Sequence, residues 1–225
     1  MASPKQDGRA GLRMADRVYE EIRREIVGGR LAPGEKITEA VLAERFGASR
    51  TPVRSAIVRL AGDGFVDMTP HSGTVVKHRT QGEVSEIYEV RALLESTAAG
   101  LAAQRRDQRD LDELEELQRG MEAASGLSWE ADEAGVERVS ALNQAFHRRI
   151  LAASRNVTLA ESAARLMNIG FLINTYARFS RQEFERSLFE HRQLIAALVS
   201  RDPAWAEAVM RAHILGARNS LAAEQ

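Results

Sequence analysis

Three of the chain's five histidines share a setting that suits ligation rather than packing alone. In HRQLIAALVSRDPAWAEAVMRAH, His191 and His213 each stand 11 residues from Asp202, where Asp202-Pro203 breaks the helical pattern. If the two flanks form an antiparallel helical hairpin, both histidines lie at one height, about 16 Å from the turn at a rise of 1.5 Å per residue. Each falls on an apolar stripe, with Phe184, Leu188, Ile195 and Leu198 on the first flank and Ala206, Met210 and Ala217 on the second. His147 follows Asn143 by one helical turn, on a helix that also carries Val139 and Ile150, so this amide and imidazole share an inward face. Three imidazoles and an amide oxygen suit Zn, Ni or a similar divalent ion and leave positions open for water or a ligand. The same residues also suit a polar pocket without metal.

The charge of such a site has a consequence. Neutral imidazoles and a neutral amide leave the +2 of the ion uncompensated, which is costly away from water. A small carboxylate in the open positions relieves that cost, and this is the expected ligand class. Arg91 aligns with Ile87, Leu94 and Ala98 on the inner face of its helix, where a guanidinium can clamp a carboxylate bidentately. The alternative for Arg91 is an ion pair with Glu95 at i,i+4. Asn174 and Arg178, one turn apart on the most apolar helix, are further pocket candidates.

A second group of residues suits contact with nucleic acid. Arg50 and Arg54 are one turn apart with Thr51 beside them, on the face of a helix opposite to Val53, Ile57 and Leu60. Arginine pairs with guanine O6 and N7 in the major groove, and small hydroxyl residues reach base edges or phosphates. His71, Ser72 and Gly73 lie in the turn of a following hairpin and are placed for phosphate or the minor groove.

The elements that must position these residues fall into two sets. Residues 1–13 read as a flexible polar arm. Helices follow at about 15–27, 38–47 and 49–61, with Thr38 and Ser49 as N-cap residues and Pro52 in a first turn. FVDMT and TVVKH around PHSG read as a β-hairpin. Three helices with a tight turn between the second and third, then a hairpin, make a winged helix-turn-helix over residues 14–78. After the polar joint KHRTQG, the pattern is helical throughout, with segments at about 83–105, 107–124, 129–153, 157–179, 182–200 and 203–222. Short connections imply antiparallel neighbours, hence an all-α six-helix bundle over residues 79–225. The fold class is mainly α.

Composition agrees with this division. Of the 225 residues, 44% are hydrophobic, enough for two small cores, and there is no cysteine, as in a reducing cytoplasm. No stretch approaches the roughly 18 apolar residues of a membrane span. Through residue 80 there are 14 Lys and Arg against 10 Asp and Glu, and beyond it 17 against 22, so the basic end is the one suited to a polyanion.

The run GRLAPGEKITEAVLAERFGASRTPVRSAIVRLAGDGFVDMTPHSGTVV resembles the DNA-binding domain of GntR-family bacterial transcription regulators. EVSEIYEVRALLESTAAGLAA, LNQAFHRRILAAS and SLFEHRQLIAAL resemble the FCD-type ligand-binding domain of the FadR branch, in its six-helix VanR-like subgroup. The resemblance implies DNA contact by the Arg and Thr of SRTPVR, here Arg50, Thr51 and Arg54. It also implies a metal site with Asp or Asn in its first position, here Asn143. Ser55 stands where Glu is usual, and Ser72 where Arg often precedes the wing glycine, which leaves the wing contact to His71. The expected protein is a one-component homodimeric repressor of the cytoplasm, bound to operator DNA and released by a carboxylate. The rival expectations are a metal hydrolase with an appended DNA-binding domain, disfavoured because no HExxH is present, and a regulator for which the metal itself is the signal.

Overall fold

The computed structural model describes residues 4–69, 73–125, 133–172 and 179–222, and the chain divides into two compact units, Met1–Arg79 and Thr80–Gln225. In the first unit, helices α1 (Pro4–Val27), α2 (Glu39–Arg45) and α3 (Arg50–Gly62) accompany strands β1 (Lys36–Ile37), β2 (Val66–Thr69) and β3 (Gly73–Val76). The strands form an antiparallel sheet in the order β1-β3-β2, with Val66 opposite Val76 and Ile37 opposite Thr74. The expected hairpin thus gains a third strand from the short extended piece after Pro33-Gly34.

Helical spacing puts Val18, Ile22 and Ile26 of α1 on one buried face, against Val53, Ala56, Ile57 and Leu60 of α3, with Leu42 and Phe65 closing the core. Thr38 caps α2 by accepting from the Val41 N–H at 3.3 Å. Gly47 makes the turn into α3 with φ of 58°, a left-handed conformation that glycine adopts without a Cβ clash. Gly73 opens β3 at φ of 93° for the same reason.

Two local expectations need correction. Ser49 occupies the N-cap of α3, but its side chain makes no cap hydrogen bond. Residues 4–13 are helical rather than a free arm. Pro4 suits a first helical turn, and Ala10, Leu12, Arg13 and Met14 are good helix formers that extend a helix already anchored by its buried face.

The second unit consists, among the described residues, of six helices: α4 (Gln81–Arg105), α5 (Gln108–Ser125), α6 (Glu133–Ala153), α7 (Val157–Leu172), α8 (Arg181–Val199) and α9 (Pro203–Ala222). Two capping boxes start α4 and α8, Thr80 with Glu83 and Ser180 with Glu183. The small residues Ala92, Ala99, Ala102 and Ala103 are fully buried on α4, which lies along α9. Phe146, Ile150, Phe184, Leu194 and Met210 build the surrounding core.

The turn between α8 and α9 is fixed on all sides. Asp202 caps α9 through the Trp205 N–H at 3.0 Å. Arg106, just beyond α4, donates to the Leu198 and Val199 carbonyls at 3.1 and 3.0 Å, and Arg201 donates to the Gln104 carbonyl at 2.9 Å. No described helix is long and apolar enough to cross a membrane.

Candidate functional site

In the second unit, α6, α8 and α9 carry His147, His191 and His213 to one point, where each offers a ring nitrogen and all lie within 4.8 Å of one another. The mirrored spacing about the α8–α9 turn has the expected effect, with the His191 and His213 ring centroids 4.7 Å apart. All three rings are buried, and His191 stacks on Phe146 at 4.3 Å. Asn143 stands one turn before His147 on α6, and its Oδ1 is buried without a hydrogen-bond partner.

Two of the rings have fixed orientations. His147 Nδ1 lies 2.7 Å from Glu95 Oε2, and His213 Nδ1 lies 2.8 Å from Glu190 Oε2. A carboxylate only accepts, so each Nδ1 carries a proton and donates it, which turns each Nε2 away from its carboxylate. Those two Nε2 atoms face each other at 3.2 Å. His191 has both ring nitrogens buried and unpartnered.

The electrostatics favour the neutral form of two of these rings, His191 and His147. Burial pushes His191 well below the usual imidazole range, with His213 and His147 adding to the effect. Burial also lowers His147, against the opposing pull of Glu95. For Glu95, burial would raise the carboxyl, but the charge of Arg91, the pull of His147 and the hydrogen bonds from both outweigh it and hold it at about 2. Glu95 is therefore a fully ionised carboxylate inside the bundle.

Behind each carboxylate stands an arginine one turn away. Arg91 Nε donates to Glu95 Oε1 at 2.8 Å, and Arg186 Nε lies 3.7 Å from Glu190 Oε1. The first chain is enclosed, with side-chain exposures of 9% for Arg91 and 1% for Glu95, whereas Arg186 is 40% exposed.

Arg91 thus faces inward as expected, but it is engaged by Glu95 and lies over the Tyr88 ring at 4.8 Å rather than holding its fork open. Sequence reasoning missed Glu95 and Glu190 as partners of the histidines. The Arg-x-x-x-Glu spacing was the available signal in both cases: Arg91 with Glu95, and Arg186 with Glu190. Asn174 and Arg178 lie outside the described residues.

In the first unit, Arg50, Thr51 and Arg54 are exposed on the face of α3 opposite to its buried stripe, together with Val58. Gly73 is exposed at the start of β3, and His71 and Ser72 lie outside the described residues. Arg54 is held in a double hydrogen bond by Glu39 of α2, a contact absent from the sequence reading.

Comparison with known proteins agrees with both halves of this description. Residues 14–76 match "Bacterial regulatory proteins, gntR family", and residues 86–216 match "FCD domain". The chain is 30% identical over 204 residues to a protein of Paenarthrobacter nicotinovorans named "Probable D-xylose utilization operon transcriptional repressor", covering 89% of this chain and 85% of that one. It is 30% identical over 224 residues to the HTH-type transcriptional regulator LutR of Bacillus subtilis (strain 168), covering 87% and 95% respectively. The solved structure of E. coli McbR/YncC shares the fold, with a TM-score of 0.75 at 24% identity over 90% of this chain and 93% of that one. These relatives are named as regulators, not enzymes, which sets the hydrolase reading aside. The chain therefore belongs to the GntR family of bacterial regulatory proteins, as a DNA-binding transcription regulator with an FCD domain.

Proposed function

We propose that this regulator is a cytoplasmic repressor that binds operator DNA as a homodimer through Arg50, Thr51 and Arg54, with the wing residues His71, Ser72 and Gly73 on the DNA backbone. Its second unit holds a divalent ion, Zn or Ni, on Asn143, His147, His191 and His213, and that ion takes part in binding a small carboxylate effector. A homodimer matches pseudo-palindromic operators, whose half-sites lie one helical turn or a multiple of it apart. The name of the Paenarthrobacter relative supports repression as the sign of action.

One observation carries the metal reading: two buried Nε2 atoms face each other at 3.2 Å, each on a ring whose Nδ1 is taken by a carboxylate. With both rings neutral and protonated on Nδ1, two desolvated acceptors meet, an arrangement that a shared cation relieves. Two nitrogens each about 2.0–2.1 Å from one ion are separated by about 2.9–3.4 Å for angles between octahedral and tetrahedral. The observed separation fits that range. Asn143 Oδ1 and the bare His191 supply the remaining buried donors. When bound, the ion supplies positive charge and open coordination positions for an anion.

The carboxylate reading survives a fuller charge count. Glu95 and Glu190 add two negative charges behind the ligands, but Arg91 and Arg186 offset them pair by pair. The ion's own charge is left for an incoming anion. Arg91 acts on that anion through Glu95 and His147 rather than by direct clamping. Asn174 and Arg178 remain proposed as effector-binding residues on sequence grounds alone.

The test is elemental analysis combined with thermal shift on a panel of small carboxylates. The wild-type chain should retain about one metal per protomer and be stabilised by its effector by about 2.7 kcal/mol at a hundredfold excess over Kd. A chelator should abolish that shift. His191→Ala combined with His213→Ala should abolish both metal and shift, and stoichiometric metal in the double variant would overturn the site.

A further inference from the structure

The contact between Glu39 and Arg54 serves neither the core nor the sensing site. Glu39 is the first residue of α2, beside its Thr38 cap, and Arg54 lies one turn into α3. Arg54 Nε donates to Glu39 Oε1 at 2.7 Å, and Nη2 donates to Oε2 at 3.0 Å. The Arg54 side chain is nonetheless 69% exposed. An ion pair so exposed adds little to folding, because solvent and salt screen it. An acidic side chain on a DNA-facing surface is also repelled by phosphate. The arrangement therefore needs a reason beyond stability.

The geometry of the guanidinium provides one. It has a side edge, Nε with Nη2, and an end edge, Nη1 with the second Nη2 hydrogen, and each can make two parallel hydrogen bonds. Glu39 occupies the side edge. Among the described residues, no protein group bonds the end edge, which is the edge that matches guanine O6 and N7. A free arginine must lose its rotamer freedom on binding and can settle on phosphate instead of a base. One already held on its side edge is spared that loss and cannot swing to phosphate without breaking two bonds. The hydrogen bond from Arg54, then the charges of Arg54 and Arg50, lower the Glu39 carboxyl, so the support is ionised at neutral pH.

We propose that Glu39 is a specificity-determining positioning residue: without touching DNA, it holds Arg54 so that the free Nη1/Nη2 edge meets one guanine in the major groove. This inference rests on the reading of Arg54 as a base contact, and the experiment separates the two. The full-length chain and its variants are used to select from a randomised DNA duplex library, and the selected pools are sequenced. The wild-type chain should select a half-site with one fixed guanine that Arg54→Ala no longer selects. Glu39→Gln and Glu39→Ala should each weaken preference for that same guanine about tenfold and leave other positions unchanged. Glu39→Ala should also bind random-sequence DNA more tightly, because a charge that repels phosphate is gone. In the Arg54→Ala background, Glu39→Gln should change no base preference further. If Arg54→Ala removes the guanine while both Glu39 variants keep it in full, the role of Glu39 is overturned and that of Arg54 stands. A change confined to a different base position in the Glu39 variants would likewise overturn it. If Arg54→Ala keeps the guanine, both readings fall.

Discussion

A carboxylate behind a ligating imidazole selects which ring nitrogen faces forward, and this chain places one behind two of its three buried histidines. The Arg91–Glu95–His147 chain is sealed inside the bundle, and the Arg186–Glu190–His213 chain reaches the surface. Replacing Glu95 by Gln removes the negative charge and turns one acceptor oxygen into an NH2 donor, so the side chain no longer dictates which His147 tautomer faces it. We expect metal affinity to fall about 10–100-fold in that variant, measured by competition with a chromogenic chelator. Glu190→Gln should cost less, because water can reach that carboxylate and take over part of its role. The donor residues were legible in the sequence because helical spacing alone puts Asn143 with His147 and sets His191 level with His213. The carboxylates were not. Glu190 lies on a different face of α8 from His191, and its reach to His213 depends on how α8 and α9 pack, which spacing within one helix does not encode.

At the scale of elements, the second unit is tied together by an acidic residue that joins α5 to α6 through Arg149. Asp110 near the start of α5 is fully buried, accepts from Arg149 of α6 and from Arg155 at 2.7 Å, and receives the Asp107 N–H at 2.8 Å. Asp110→Ala leaves these cations without their shared buried partner. We expect a loss of about 3 kcal/mol, read from urea unfolding of the metal-free chain. The helices themselves were legible, since apolar residues at helical spacing and the capping residue Thr38 mark where they run, whereas the caps Thr80 and Ser180 appear only in the structure. The extension of α1 to Pro4 was not, because Gly8 and Gly11 suggest coil locally, whereas the buried Val18 and Ile22 anchor a helix that propagates backward. Ser49 shows the converse, a residue of capping type whose side chain leaves the α3 N-terminus uncapped.

At the scale of the whole molecule, a DNA-binding unit and an FCD domain are encoded in sequence as two separate patterns, the exposed SRTPVR face and the buried histidines. For the proposed homodimer, a duplex carrying both half-sites should bind with a salt dependence about twice as steep as a duplex carrying one, because twice as many counterions are released. Equal slopes from a titration over a range of salt would argue for a monomer on DNA. The pinned α8–α9 turn also limits how this molecule can vary. One residue inserted between Ser200 and Pro203 would advance α9 by about 100° of helical phase, turning His213 away from its partners unless Arg106 and Arg201 gave up their carbonyls. The length of that turn is therefore constrained along with its bridging side chains, so the register of His191 against His213 is set by a count of residues.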